Sequence, residues 1–130
     1  MPWNERARLW YAQAMRDLEM ARRNLAIEGY YVAAFLAQQA VEKLLKAAHV
    51  LEGKRVPRTH YIDELARALN VPLEVYRSLL SLVSDYVMAR YPDALGDVPY
   101  AYYTEAMARQ KVTIAEQFAD YFHQRWKRPE

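Results

Sequence analysis

Residues 30–60 read YYVAAFLAQQAVEKLLKAAHVLEGKRVPRTH, and their apolar positions fall on two helical stripes rather than one. Phe35, Val41, Leu45 and Ala48 make the first stripe, and Leu36, Ala40, Leu44 and Ala47 make the second. A helix that is apolar on two sides must touch neighbours on both, which places it at the centre of a bundle. Gln38, Gln39, Glu42, Lys43 and Lys46 share the same rod. Polar side chains beside packed surface need partners there, because an unpaired buried polar group costs stability.

The rest of the chain supplies the neighbours. A first helix starts after an Asn4 cap and carries Ala7, Tyr11, Ala14, Leu18, Ala21 and Leu25 on one face until Gly29. The two-faced second helix stops near Gly53, and KRVPRT follows as a basic loop held extended by Pro57. Thr59 is the expected cap of a short third helix, HYIDELARAL, whose Asp63 and Glu64 suit the positive end of the helix dipole. Pro72 suits the first turn of a fourth helix that runs to about Arg90 on Leu73, Tyr76, Leu80, Val83 and Val87. YPDALGDVP breaks it, and a last helix starting near Tyr100 to Thr104 carries Met107, Ile114, Phe118, Phe122 and Trp126. Nothing alternates like a strand. The expected fold is all-α: one antiparallel up-and-down bundle over residues 1–130, with four long helices and one short. A chain of this length can bury about two thirds of the surface that its unfolded form exposes.

Several functions are excluded by what is missing. With no cysteine there is no disulfide framework, thiolate nucleophile or cysteine metal site, which fits a reducing compartment. No apolar run approaches the roughly 20 residues that cross a bilayer, and MPWNERARLW is charged where a signal peptide is apolar, so a cytoplasmic protein is expected. Phosphate-loop, Rossmann and serine-hydrolase motifs are absent, and three glycines cannot build a loop that cradles a nucleotide through backbone amides. The net charge of +2 is spread among alternating acids and bases, so the clusters Arg6/Arg8, Arg22/Arg23, Arg55/Arg58 and Arg125/Lys127/Arg128 read first as solvated surface.

Arg90-Tyr91-Pro92-Asp93 is the sharpest local feature: a guanidinium, a phenol and a carboxylate where a helix ends and a proline fixes the exit. Arg90 there either caps carbonyls or pairs with Asp93, or it presents its planar fork to a phosphate or carboxylate. His60 lies at helical spacing from Asp63 and Glu64, yet two ligands do not make a metal site; a hydrogen bond to the next helix is the plainer role. Metal-free RNA cleavage calls for an arginine to stabilise the phosphorane and a histidine to move protons. Arg55-Val-Pro-Arg-Thr-His60 has that spacing but sits in a proline-containing loop, and no histidine follows Arg90 before Asp97. Tyr30, Tyr31, Tyr86, Tyr91, Tyr100, Tyr102 and Tyr103 offer rings for packing or for base stacking.

MARRNLAIEGYYVAAFLAQQAVEKLLKAAHVLEG, then RTH before LARAL, then ARYPD, closely resembles the HEPN domain of prokaryotes and higher eukaryotes, from about Arg16 to Phe122. Gln38-Gln39 with Glu42-Lys43 and Lys46, Thr59-His60, Arg90-Tyr91-Pro92-Asp93 and a final helix near Tyr103 occur in the family's order. The resemblance implies a helical bundle, commonly a homodimer. Many small prokaryotic relatives are paired with a separate minimal nucleotidyltransferase, as its substrate-binding half or toxin partner; others are metal-independent ribonucleases with an Arg-x4-6-His motif. This chain keeps Arg90 and lacks that histidine. The expectation is therefore a non-catalytic module that binds a nucleotide, RNA or a partner through Arg90, Tyr91, Asp93 and His60, supported by Gln38, Glu42, Lys43 and Lys46. No catalytic residue, cofactor or metal is assigned; a ribonuclease toxin and a dimeric scaffold are the alternatives.

Overall fold

The computed structural model describes residues 3–129. Three 22-residue helices frame it: α1 (Glu5–Ala26), α2 (Tyr30–Leu51) and α8 (Glu105–Trp126). Shorter helices fill the return path: α3 (Ile62–Ala68), α4 (Leu73–Leu79), α5 (Asp85–Met88), α6 (Pro92–Leu95) and α7 (Pro99–Tyr102), with a 3₁₀ turn over Leu80–Leu82. No strand occurs among the described residues.

Local chemistry starts the long helices where their sequences direct. Asn4 Oδ1 accepts from the Ala7 amide at 2.8 Å, and the Thr104 side chain accepts from the Met107 amide, so each fills one of the amides orphaned in a first turn. At the end of α1 the left-handed residue is Glu28 (φ 61°), not Gly29. At Gly29 a Cβ would stand 2.7 Å from Asn24 Oδ1, so the end of that side chain would have to shift.

The tight turn after α1 returns α2 antiparallel to it. Ala7, Ala14 and Ala21 on α1 and Ala33, Ala37, Ala40 and Ala47 on α2 are buried, and these small side chains let the two backbones approach closely. On the other side of α2 lies α8, running in the same direction: Tyr30 meets Glu105 at their starts, and Trp126 Nε1 donates to Glu52 at their ends. Leu18, Leu44, Leu45, Ile62, Leu65, Leu69, Leu79, Leu82 and Phe122 fill the space between. Each such side chain contributes roughly 1.5–3 kcal/mol on burial. The two-sided packing read from residues 30–60 is thus the architecture observed, with both apolar stripes of α2 turned to neighbours.

The fourth helix differs from expectation. It is not one rod to Arg90 but α4, a 3₁₀ turn and α5 in succession. Leu73 and Leu80 are exposed, and the inward positions are Leu79, Leu82, Asp85 and Ala89. The serines explain the break: Ser78 Oγ donates back to the Val75 carbonyl and Ser81 Oγ to the Ser78 carbonyl, competing with helical hydrogen bonds. Thr59 also differs, because the cap of α3 is Tyr61 and Thr59 Oγ1 accepts from the Tyr61 amide within the loop. Pro72 sits at the cap of α4 rather than inside its first turn. No described helix is long and apolar enough to cross a membrane.

Candidate functional site

The polar residues of α2 converge on one carboxylate. Glu42 is 3 % exposed, and its Oε1 accepts from Gln38 Nε2 (3.2 Å) and Gln39 Nε2 (3.3 Å). Its Oε2 accepts from Lys46 Nζ (3.0 Å) and from His60 Nδ1 (3.1 Å). Four donors use all the lone-pair positions that a carboxylate has. Gln38, fully buried, also donates to the His60 carbonyl at 3.1 Å, so backbone and ring of His60 are both anchored to α2. Because Glu42 can only accept in this contact, the His60 Nδ1 carries the proton and Nε2 is the outward nitrogen. Lys46 extends the cluster toward α1, its Nζ lying 5.4 Å from the Trp10 ring centroid.

His60 then meets α5. Its ring stacks on Tyr86, centroids 4.1 Å apart and planes 9° from parallel. The Arg90 guanidinium lies over the same phenol at 4.1 Å, and also over Phe35 at 5.4 Å and Tyr91 at 4.7 Å. Arg90 Nε donates to the Tyr86 carbonyl at 2.7 Å, which caps that turn. Among the described residues its terminal nitrogens make no hydrogen bond or ion pair, and the residue is exposed. Capping therefore accounts for one edge of the guanidinium and leaves the fork open.

That fork borders a cleft of about 370 Å³ lined by Tyr31, Val32 and Phe35 of α2, Ala89 and Arg90, and Pro99 and Tyr100 of α7. Behind the cleft a second buried polar group holds the segment in place. Tyr103 Oη donates to Asp85 Oδ1 at 2.6 Å, and Lys111 Nζ of α8 lies 3.0 Å from Asp85 Oδ2 while donating to the Ser81 carbonyl. Asp85 Oδ2 has no well-directed hydrogen bond, so that ion pair is a charge contact. Burial pushes the Asp85 carboxyl above its usual range, although Tyr103 and Lys111 pull the other way. The Tyr103 phenol is raised strongly by burial and by the same carboxylate.

Set against expectation, Arg90, His60, Gln38, Glu42 and Lys46 come together, joined through Tyr86. Tyr91 is half exposed beneath the guanidinium. Asp93 is exposed and makes no ion pair with Arg90 among the described residues. Lys43 serves elsewhere: it pairs with Asp17 of α1, which Gln13 also bonds, and so ties α1 to α2. Arg55 is exposed in its loop, with no contact to His60 among the described hydrogen bonds. Tyr86 and Phe35 are the residues that spacing missed, since their part depends on α5 meeting the loop before α3. Arg22 and Arg23 are matched by Glu116 and Glu19, which supports the solvated-surface reading of that basic cluster, whereas Arg125 is tied into the fold by Glu52 and the Leu69 carbonyl. No group of three or more histidine, cysteine or carboxylate side chains suited to a metal occurs among the described residues.

Comparison with known proteins agrees with this fold. The family model for the HEPN domain matches residues 7–126, and the chain belongs to the HEPN domain family. The crystal structure of TT1696 from Thermus thermophilus is 31 % identical, with 93 % of this chain and 98 % of that chain covered and a TM-score of 0.85. The crystal structure of ST0689, described as an archaeal HEPN homologue, is 32 % identical over 91 % of this chain and 95 % of its own, with a TM-score of 0.77. An HEPN domain protein from Thermotoga maritima shares the fold at 22 % identity, TM-score 0.72, over 92 % of this chain and 98 % of its own. No functionally curated protein matches the chain significantly.

Proposed function

We propose that this protein is a non-catalytic binding module whose Arg90 takes a phosphate of a nucleotide or RNA, and that it acts as a homodimer beside a separate minimal nucleotidyltransferase. The observation that carries the reading is the open fork of Arg90, fixed by its Nε bond to the Tyr86 carbonyl and by the ring beneath it. A guanidinium held in one orientation loses less freedom when it forms paired bonds to phosphate oxygens. His60 Nε2, anchored through Glu42 on the other side of the Tyr86 contact, offers a further polar atom to the same ligand. The nucleotidyltransferase partner is supported by the family's habit alone. Affinity purification from the native host should recover it. Arg90→Ala should weaken binding of AMP or a short RNA at least tenfold by calorimetry, and the unfolding free energy should stay within about 1 kcal/mol because the residue is exposed. Unchanged binding sinks the role of Arg90.

One observation favours a second reading, a metal-independent ribonuclease. Glu42, His60, Tyr86 and Arg90 form a contact chain in which an oriented imidazole and a guanidinium share one ring. In such an enzyme His60 Nε2 takes the proton of a ribose 2′-hydroxyl as that oxygen attacks the adjacent phosphorus. Arg90 stabilises the charged phosphorane, and the departing 5′-oxygen takes a proton from the imidazolium that His60 has become or from water, giving a 2′,3′-cyclic phosphate and a 5′-hydroxyl. An EDTA-treated sample incubated with RNA decides between the readings. Cleavage lost in both Arg90→Ala and His60→Ala establishes the enzyme, and intact RNA removes it.

A further inference from the structure

The sequence of α8 ends Phe122-His123-Gln124-Arg125-Trp126, which puts an imidazole, a guanidinium and an indole on its last turn. They reach different elements. Tyr11 Oη of α1 lies 2.6 Å from His123 Nε2, inside a ring cluster in which Trp3 packs edge-on against Tyr11 and against fully buried Phe122. Glu52, the residue after α2, accepts from Trp126 Nε1 at 2.9 Å and from Arg125 Nη2 at 3.0 Å, and pairs with Lys54 at 3.3 Å. Lys54 and Arg125 also donate to the Ala68 and Leu69 carbonyls, which caps the end of α3. We infer that this last turn is an acid-opened clasp: neutral His123 and ionised Glu52 hold it shut, and protons release it in two steps, from α1 first and from the loop before α3 second.

The chemistry of each half sets its direction. Burial holds the Tyr11 phenol above its usual range against the pull of Arg128, so Tyr11 keeps its hydrogen and donates it, and His123 accepts only while its ring is neutral. The groups facing His123 are Tyr11 of α1, Arg128 of the tail and Asp120 one turn back on α8. A helix C-terminus ordinarily favours a charged imidazole, but here burial and then the Arg128 charge hold His123 below its ordinary 6.5, against Asp120. Around Glu52 burial opposes the charge, yet the Trp126 indole, Lys54 and Arg125 outweigh it and keep the carboxyl below its ordinary 4.5. Both folded pKa values thus lie below the unfolded ones. Such a contribution is present above the unfolded pKa and is lost as pH falls through the folded one, and His123 meets that condition first. The consequence reaches past the helix end. Gln38 and Glu42 hold the His60 end of the loop before α3, and the clasp holds its Glu52 end, so opening it removes two caps from α3 and one anchor from the loop.

Amide hydrogen exchange and the indole and imidazole NMR signals of the full chain, followed from about pH 8 to about pH 3.5, test this. Below pH 6.5 the Trp3 indole and the His123 ring should shift together. In the same range the protection of residues 122–126, corrected for the intrinsic exchange rate, should fall by up to about tenfold per pH unit while the middle of α2 stays protected. Below pH 4.5 the Trp126 indole should follow. His123→Gln keeps an acceptor for Tyr11 and does not titrate, so the first step should vanish. Arg128→Gln should move that step to higher pH, and Glu52→Gln should weaken the Trp126 contact at neutral pH and erase the second step. Arg128 and Glu52 are exposed residues, so both variants fold. A His123 ring that titrates at 6.5 or above overturns the clasp, as does a first step that survives His123→Gln. It is overturned too if residues 122–126 lose protection only together with α2, because acid then unfolds the bundle as a whole, or if the Trp126 signal moves before that of Trp3.

Discussion

Replacing Glu42 with alanine should lower the unfolding free energy by about 3–5 kcal/mol, the loss expected when one partner of a buried charge pair is removed. The effect does not come from a weak helix, since alanine is an excellent helix former. It comes from the groups left behind. The Lys46 side chain is 8 % exposed and would be left with no carboxylate beside it. Gln38, fully buried, would lose one of its two acceptors, and His60 would lose the partner that fixes its ring. Chemical denaturation of Glu42→Ala, Lys46→Met and the double variant separates these contributions. The double variant should recover a large part of the loss because the stranded ammonium is gone. A single variant within 1 kcal/mol of the parent would show that the cluster does not hold α2 to the loop before α3. His60→Ala, by contrast, should cost little stability because its side chain is 51 % exposed, and its effect belongs to binding.

The same cluster shows what was legible in the sequence. α1, α2 and α8 each repeat apolar residues over 22 positions and begin at or near a recognisable signal, so their existence and faces follow from spacing. Glu42 and its helical neighbours were legible as a polar group in a packed place. The path from Leu73 to Arg90 was not, because no proline or glycine lies inside it to announce a break. Beside the serines' local bonds the break has a tertiary part: Lys111, far along the chain, takes the Ser81 carbonyl and faces Asp85. Ser78, Ser81 and Ser84, one turn apart, were the local warning. The candidate site was half legible for the same reason. Arg90 and His60 stood out by residue type, whereas Tyr86 was one phenol among many, and only its contacts with both of them distinguish it. Asp93 looked equivalent to Arg90 in the string, yet Pro92 begins a new turn that carries it away from the guanidinium.

Lys111→Met should destabilise the fold by about 3 kcal/mol and should change its pH dependence in a direction fixed by Asp85. Lys111 and Asp85 are both buried, so the methionine packs in similar volume but leaves the carboxylate facing no charge. Burial already raises the folded pKa of Asp85 above its ordinary value of 3.8, because burial outweighs Tyr103 and Lys111. A folded pKa above the unfolded one means that the native state binds the proton more tightly. The Asp85 contribution is then fully present below the unfolded pKa and is lost as pH rises through the folded pKa. The stability difference between the parent and Asp85→Asn, measured in denaturant across pH, should therefore fall as pH increases and then level off. In the Lys111→Met background one of the lowering influences is gone, so the fall should extend to higher pH. A difference that rises with pH would mean that Lys111 and Tyr103 outweigh burial and hold the carboxylate charged. The consequence reaches the cleft, since Asp85 precedes Tyr86 in α5 and Tyr103 follows α7. A variant that loosens this contact frees the short elements carrying Tyr86, Arg90 and Tyr100 while α1, α2 and their alanine seam stay intact. Ligand affinity should fall in Lys111→Met at temperatures where circular dichroism still reports a folded bundle, and recovery in the Lys111→Met, Asp85→Leu double variant would trace the loss to the stranded charge.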